Sequence, residues 1–126
     1  MKQLNKSEIA DINSEIDKQF GVADFFDKKS RLELAEMDHV LLVVHERVPL
    51  FFYRDGRLVP TLRLLLKRPL LKQAVVDMGA VKFVSSGADV MRPGIVELDH
   101  AIKKDELVVI VDQTHRKPLA VGQALF

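Results

Sequence analysis

The sequence predicts an α+β fold divided into two small units. Three observations carry that expectation. Ile9, Ile12, Ile16 and Phe20 recur at helical spacing. Strand-like runs broken by turn residues fill the stretch from Arg31 to Pro60. The chain then closes on further short apolar runs, "IVELD", "ELVVIVD" and "PLAVGQALF". A length of 126 residues suits one ordinary domain or two very small ones. A division into 1–72 and 73–126 separates the helix-led half from the strand-led half.

The elements follow in order. Asn5 caps the first helix, and Glu8 stands three residues later, as a capping box requires. Gly21 is placed to end it. "VADFFDKKS" reads as a turn whose phenylalanines anchor it to a core. In "RLELAEMDHVLLVVHERVPLFFYRDGRLVP" the period changes to that of strands. Asp55-Gly56 predicts a two-residue hairpin turn, because both residue types tolerate positive φ. Phe51, Phe52 and Tyr53 alternate, so one face of that hairpin is core.

"PTLRLLLKRP" predicts a helix from Pro60 to about Arg68, with Pro60 in its first turn and Pro69 barring continuation. Leu62, Leu65 and Leu66 are its expected buried stripe, with Arg63 and Lys67 on one exposed face. "AVVD" is a short strand, and Gly79 to Ser86 a short helix ended by Gly87. Polar turns at Lys103–Glu106 and Gln113–Lys117 separate the last strands.

Composition excludes several function classes. Hydrophobic residues make up 48% and charged residues 29%, which is globular composition. The chain has no cysteine, so disulfides, thiolate metal sites and a cysteine nucleophile are ruled out. No apolar run approaches a membrane span, and the N-terminus lacks the apolar core of a signal peptide. A cytoplasmic protein with no membrane partner is expected. There is no GxSxG, Walker-type or dinucleotide fingerprint. On a continuous strand His39 and His45 would lie roughly 20 Å apart, too far to share a metal. The sequence therefore predicts a binding protein, with no catalytic residue, no metal and no cofactor.

Charge is unevenly spread beneath a net +1. Met1 to Asp38 carries six basic residues against nine acidic ones. From Arg54 to Gln73, the basic residues Arg54, Arg57, Arg63, Lys67, Arg68 and Lys72 stand against only Asp55. A one-sided basic segment of this kind serves either as a solvated exterior or as a phosphate-binding surface.

"VDMGAVKFVSSGADVMRPGIVELD", followed by "DELVVIVD" and "PLAVGQALF", resembles the PUA domain, a small RNA-binding β-barrel. The resemblance covers Ala74 to Phe126. The preceding stretch, above all "PTLRLLLKRP", resembles the segment joining the N-terminal and PUA domains of the malignant T-cell amplified sequence family, in an archaeal-like form. The fold it implies is a helix-plus-antiparallel-sheet domain followed by a PUA-type barrel. Barrels of this kind continue past "AVGQAL", so further closing strands are expected beyond Phe126.

The function implied is RNA binding in the translation apparatus, with rRNA or tRNA, the small ribosomal subunit and a translation-factor protein as partners. Two alternatives stand beside it: an RNA-targeting accessory of a modification enzyme, and a protein-docking module. In the Val76–Asp99 stretch Gly79 and Gly87 permit tight turns, while Ala80, Ser86 and Ala88 let a nucleic-acid backbone approach. Lys82 and Arg92 supply charge, and Arg92 offers bidentate geometry. Pro93 and Gly94 complete the segment. The same glycines are also what a tightly wound small barrel requires. Arg63, Lys67, Arg68, Arg116 and Lys117 extend the expected RNA-binding set, with His115 beside the last two.

Overall fold

The computed structural model describes residues 1–79, 81 and 94–125. Two units are present, one spanning Met1–Leu64 and the other starting at Leu65.

The first unit is a five-stranded antiparallel meander with a helix. Its elements are β1 (Lys2–Gln3), α1 (Lys6–Phe20), β2 (Leu32–Met37), β3 (Val40–His45), β4 (Val48–Arg54) and β5 (Arg57–Pro60), with the strands side by side in chain order. The start of α1 is a complete capping box. Asn5 Oδ1 accepts from the Glu8 N–H at 2.8 Å, and the Asn5 N–H donates to Glu8 Oε1 at 3.1 Å. Gly21, at φ 71°, ends the helix in the left-handed region.

Ile9, Ile12 and Ile16 are buried along one stripe of α1. Two side-chain amides fasten the helix. Asn13 donates to the Phe26 carbonyl at 2.8 Å and accepts from the Phe26 N–H at 2.9 Å. Gln19 does the same with Leu58, at 3.0 Å in both directions. The core centres on Phe51, which is fully buried and has its ring 6.1 Å from Phe20, 5.4 Å from Phe25 and 6.2 Å from Phe26. Tyr53 is half-buried on the same strand. Burial, reinforced by the Glu15 carboxylate that accepts its hydrogen bond, pushes its phenol up to about 12.

Each hairpin from β2 to β5 turns on two residues with positive φ. These are Asp38-His39 at 51° and 65°, Glu46-Arg47 at 48° and 67°, and Asp55-Gly56 at 51° and 76°. The backbone twist of such turns matches that of the strands. Only the last carries the glycine that announces it. Arg47 therefore holds a conformation that disfavours a Cβ, and Asn-Gly in place of Glu46-Arg47 is expected to stabilise the unit by about 0.5–1 kcal/mol. The shift in denaturant midpoint at unchanged slope measures it. The Asp38-His39 turn also corrects the reading of His39 and His45 on one strand. His39 is a turn residue, and His45 ends β3 with its ring 5.7 Å from Phe26.

The expected helix from Pro60 to Arg68 is shorter. The helix α2 comprises Leu62–Leu65 alone. Pro60 belongs to β5, where it pairs opposite Phe51, and Thr61 takes the cap, its Oγ1 accepting from the Leu64 N–H at 3.3 Å. A single turn cannot sustain a 3.6-residue stripe, so the buried leucines are the adjacent Leu64 and Leu65. Leu62 and Leu66, expected inside, are 37% and 57% exposed.

The second unit holds β6 (Lys72–Val76), β7 (Ile95–Leu98), β8 (Leu107–Asp112) and β9 (Pro118–Gln123) in the order β7-β6-β8-β9. β6 and β8 run parallel, and the other pairings are antiparallel. Leu65, Val75, Val109 and Val111 form one core cluster, with Leu70, Leu71 and Val121 packed on it. Ile102, Val108 and Ala124 form a second, with Leu98 against it. The connection from β7 to β8 is gathered around the Lys72 ammonium, which donates to the Ala101 carbonyl at 3.0 Å and pairs with Glu106 at 3.0 Å. Met78 and Gly79 begin a helical turn after β6. Apart from Val81, the rest of the expected Gly79–Ser86 helix lies outside the described residues.

Candidate nucleic-acid interface

Because β6 and β8 are parallel, both finish at the same end of the sheet, with Val76 opposite Asp112. The chain leaves β6 there through Asp77, Met78 and Gly79. It comes back at Gly94, whose carbonyl accepts from the Asp77 N–H at 3.1 Å just before β7. The β8–β9 turn, Gln113–Lys117, leaves β8 at that end too. Four of the sequence-predicted residues, Gly79, Gly94, Arg116 and Lys117, are thus gathered at one end of the sheet. A Cβ on Gly79 would stand 3.2 Å from Asp77 Oδ1, so a larger residue there requires a small shift of the Asp77 side chain.

The turn is built on Asp112, whose residue surface is 5% exposed. Its Oδ1 accepts from the His115 N–H at 2.5 Å and its Oδ2 from the Lys117 N–H at 3.2 Å. Its own carbonyl accepts from the Arg116 N–H at 3.1 Å, and its N–H donates to the Lys117 carbonyl at 3.3 Å. The His115 N–H holds the Asp112 carboxyl below the usual carboxylate range, against the opposing effect of burial. The Lys117 and Thr114 N–H groups and the His115 ring act in the same direction as the His115 N–H.

Arg116, at φ 55°, sits in the left-handed region and sends its guanidinium to Glu97 on β7 at 2.8 Å. Both members of that pair are about half exposed, and a surface pair of this kind is worth roughly 0–1 kcal/mol. The His115 side chain is 76% exposed, with Nδ1 3.7 Å from Asp112 Oδ1, and Lys117 is exposed. The end of the sheet presents an imidazole, a guanidinium and an ammonium on consecutive residues, whose backbone N–H groups all bond to Asp112, two to its carboxylate and that of Arg116 to its carbonyl.

Arg63, Lys67 and Arg68 are exposed on and just after α2. Arg63 and Lys67 make no hydrogen bond or ion pair among the described residues, whereas Arg68 has an interaction of its own. Lys72, counted in the same basic run, is committed to Ala101 and Glu106. Ala80, Lys82, Ser86, Gly87, Ala88, Arg92 and Pro93 lie outside the described residues. Sequence reasoning missed Asp112 and Glu97. The signal that could have found Asp112 is an aspartate ending an apolar run and followed by polar turn residues, the signature of a side chain that closes its own turn. Among the described residues no group of three or more His, Cys, Asp or Glu side chains is arranged to hold a metal, and no helix is long and apolar enough to cross a membrane.

Residues 1–69 match the family described as Pre-PUA-like domain, and residues 72–126 match the PUA domain. An uncharacterized protein of Methanocaldococcus jannaschii is 41% identical over 124 residues, covering 97% of this chain and 76% of that protein. Malignant T-cell-amplified sequence 1 of Danio rerio is 34% identical over 131 residues, covering 95% of this chain and 72% of its own. Translation machinery-associated protein 20 of Schizosaccharomyces pombe is 34% identical over 108 residues, and the chain spans 60% of its length. Among solved structures, a hypothetical protein from Pyrococcus horikoshii superposes with a TM-score of 0.82 at 31% identity, covering 98% of this chain and 81% of that one. A PUA domain protein from Thermoplasma acidophilum superposes with a TM-score of 0.79 at 26% identity, covering 99% and 80%.

Proposed function

Since this chain belongs to the family that joins a pre-PUA-like domain to a PUA domain and includes the malignant T-cell-amplified sequence proteins, we propose that it binds RNA within the cytoplasmic translation apparatus. It contacts rRNA or tRNA on the small ribosomal subunit without chemical turnover. Residues 73–126 carry the RNA contact, and residues 1–72 add the basic segment and a surface for a translation-factor partner. The observation that carries this reading is the gathering of Gly79, Gly94, Arg116 and Lys117 at the end where β6 and β8 both stop. Exposed Arg63 and Lys67 support a wider electrostatic footprint.

The test is RNA affinity as a function of salt. Replacing Arg63 and Lys67 with glutamine weakens binding similarly across RNA sequences. On a single strand the log–log salt slope falls by about 0.7 for each phosphate that the protein no longer neutralises. An affinity and slope unchanged in the folded variant remove the basic segment from the interface. Sedimentation with small subunits tests the cellular partner. Association with free tRNA and a modification enzyme instead points to the accessory role. The protein-docking reading is favoured by one specific feature, the apolar tip of the β2–β3 hairpin, where Met37, Val40 and Leu41 are 64%, 37% and 37% exposed. Salt-insensitive capture of a protein without RNA supports it.

A further inference from the structure

We infer that Asp112 is the positioning residue of the RNA interface: buried itself, it sets the β8–β9 turn so that Arg116 and Lys117 reach phosphate together. This rests on the RNA-binding reading above.

Asp112 is the one charged residue that is buried among the described residues. A hairpin connection does not need a carboxylate; the meander of the first unit makes three turns from two residues each without a buried one. Here the connection is five residues long, and its backbone folds around Asp112. The carboxylate takes the N–H groups of His115 and Lys117, one on each oxygen. The main chain of Asp112 takes the N–H of Arg116 and the carbonyl of Lys117. Arg116 is held in the left-handed region between these two anchors, without the glycine that such a position favours. The chain thus keeps a guanidinium where conformation alone selects against it. The acid is buried, while the three residues whose backbone bonds to Asp112, His115, Arg116 and Lys117, are exposed.

The turn stands at the end of β8 beside the end of β6, so it borders the stretch that begins at Asp77 and returns at Gly94. Glu97 on β7 holds the Arg116 guanidinium at 2.8 Å. The cation is therefore oriented before a ligand arrives, and its partner is a surface carboxylate that a phosphate can replace. The ligand chemistry is a phosphodiester backbone, met by side chains whose geometry is set from behind.

The sign of one substitution separates positioning from simple charge. Asp112→Asn removes a negative charge near the interface. If Asp112 acted only through its charge, RNA would bind more tightly. As a positioning residue it requires an acceptor on both oxygens, and the asparagine NH2 group cannot accept from the Lys117 N–H. Binding of a short mixed-sequence single-stranded RNA is then expected to weaken by about tenfold, with a flatter salt slope. In an Arg116→Gln, Lys117→Gln background the same substitution has no further effect, because the side chains it positions are gone.

Tighter or unchanged binding by Asp112→Asn, or an equal loss in the double-glutamine background, overturns the inference while leaving the RNA-binding reading intact. A parent protein with no salt-dependent RNA binding overturns both. Should Asp112→Asn not fold, amide NMR of the parent decides. On RNA titration the His115, Arg116 and Lys117 signals must move while their N–H groups stay protected from exchange, and unmoved signals overturn it.

Discussion

Replacing Phe51 with alanine is expected to cost about 3–5 kcal/mol, the largest single effect in the first unit. The side chain is fully buried and meets three other phenylalanine rings. Two of them, Phe25 and Phe26, come from the connection between α1 and β2, which has little regular structure of its own. The ring therefore joins the sheet, the helix end at Phe20 and that connection in one cluster. Its removal leaves a space that backbone hydrogen bonds on β4 prevent from collapsing. Urea unfolding followed by a probe in the first unit measures the loss. A cost under about 1 kcal/mol would mean that the connection repacks into the gap.

The second large effect belongs to Leu65. It is 7% exposed and shares a cluster with Val75, Val109 and Val111. Leu65→Ala is expected to destabilise the second unit by about 2–5 kcal/mol. Leu62→Ala and Leu66→Ala, at more exposed sites, are expected to cost under about 1 kcal/mol each. The contrast is the informative part. Three leucines within five residues carry the same chemistry, and only their place on or just after one helical turn separates them. Equal losses at all three would contradict the burial pattern.

That contrast also marks where the sequence is legible. Asn5 with Glu8, Gly21, and Asp55-Gly56 are readable because each acts through bonds or torsions within a few residues. The Leu62, Leu65 and Leu66 stripe misleads because a periodic pattern presumes a helix long enough to repeat, and α2 makes one turn. Asp38-His39 and Glu46-Arg47 carry no turn glycine. Their conformation is imposed by strand register, in which Met37 pairs with Val40 and His45 with Val48. The parallel pairing of β6 with β8 joins residues more than thirty positions apart, beyond any local signal. For the candidate interface, residue types are legible and their grouping is not. Arg116 and Lys117 join Gly79 and Gly94 through that parallel pairing, and nothing near them in the chain says so.

The amide clamp between Gln19 and Leu58 has a consequence for how the first sheet ends. β5 is an edge strand, and Leu58 pairs with Tyr53 at a position where its N–H and C=O point away from β4. An edge left open in this way is a template for another chain. Gln19 offers one carbonyl and one NH2 at 3.0 Å to both groups. It imitates a single residue of a sixth strand while belonging to a helix, which cannot continue the ladder. At Leu58 the two groups through which another strand would pair are therefore already taken by a side chain.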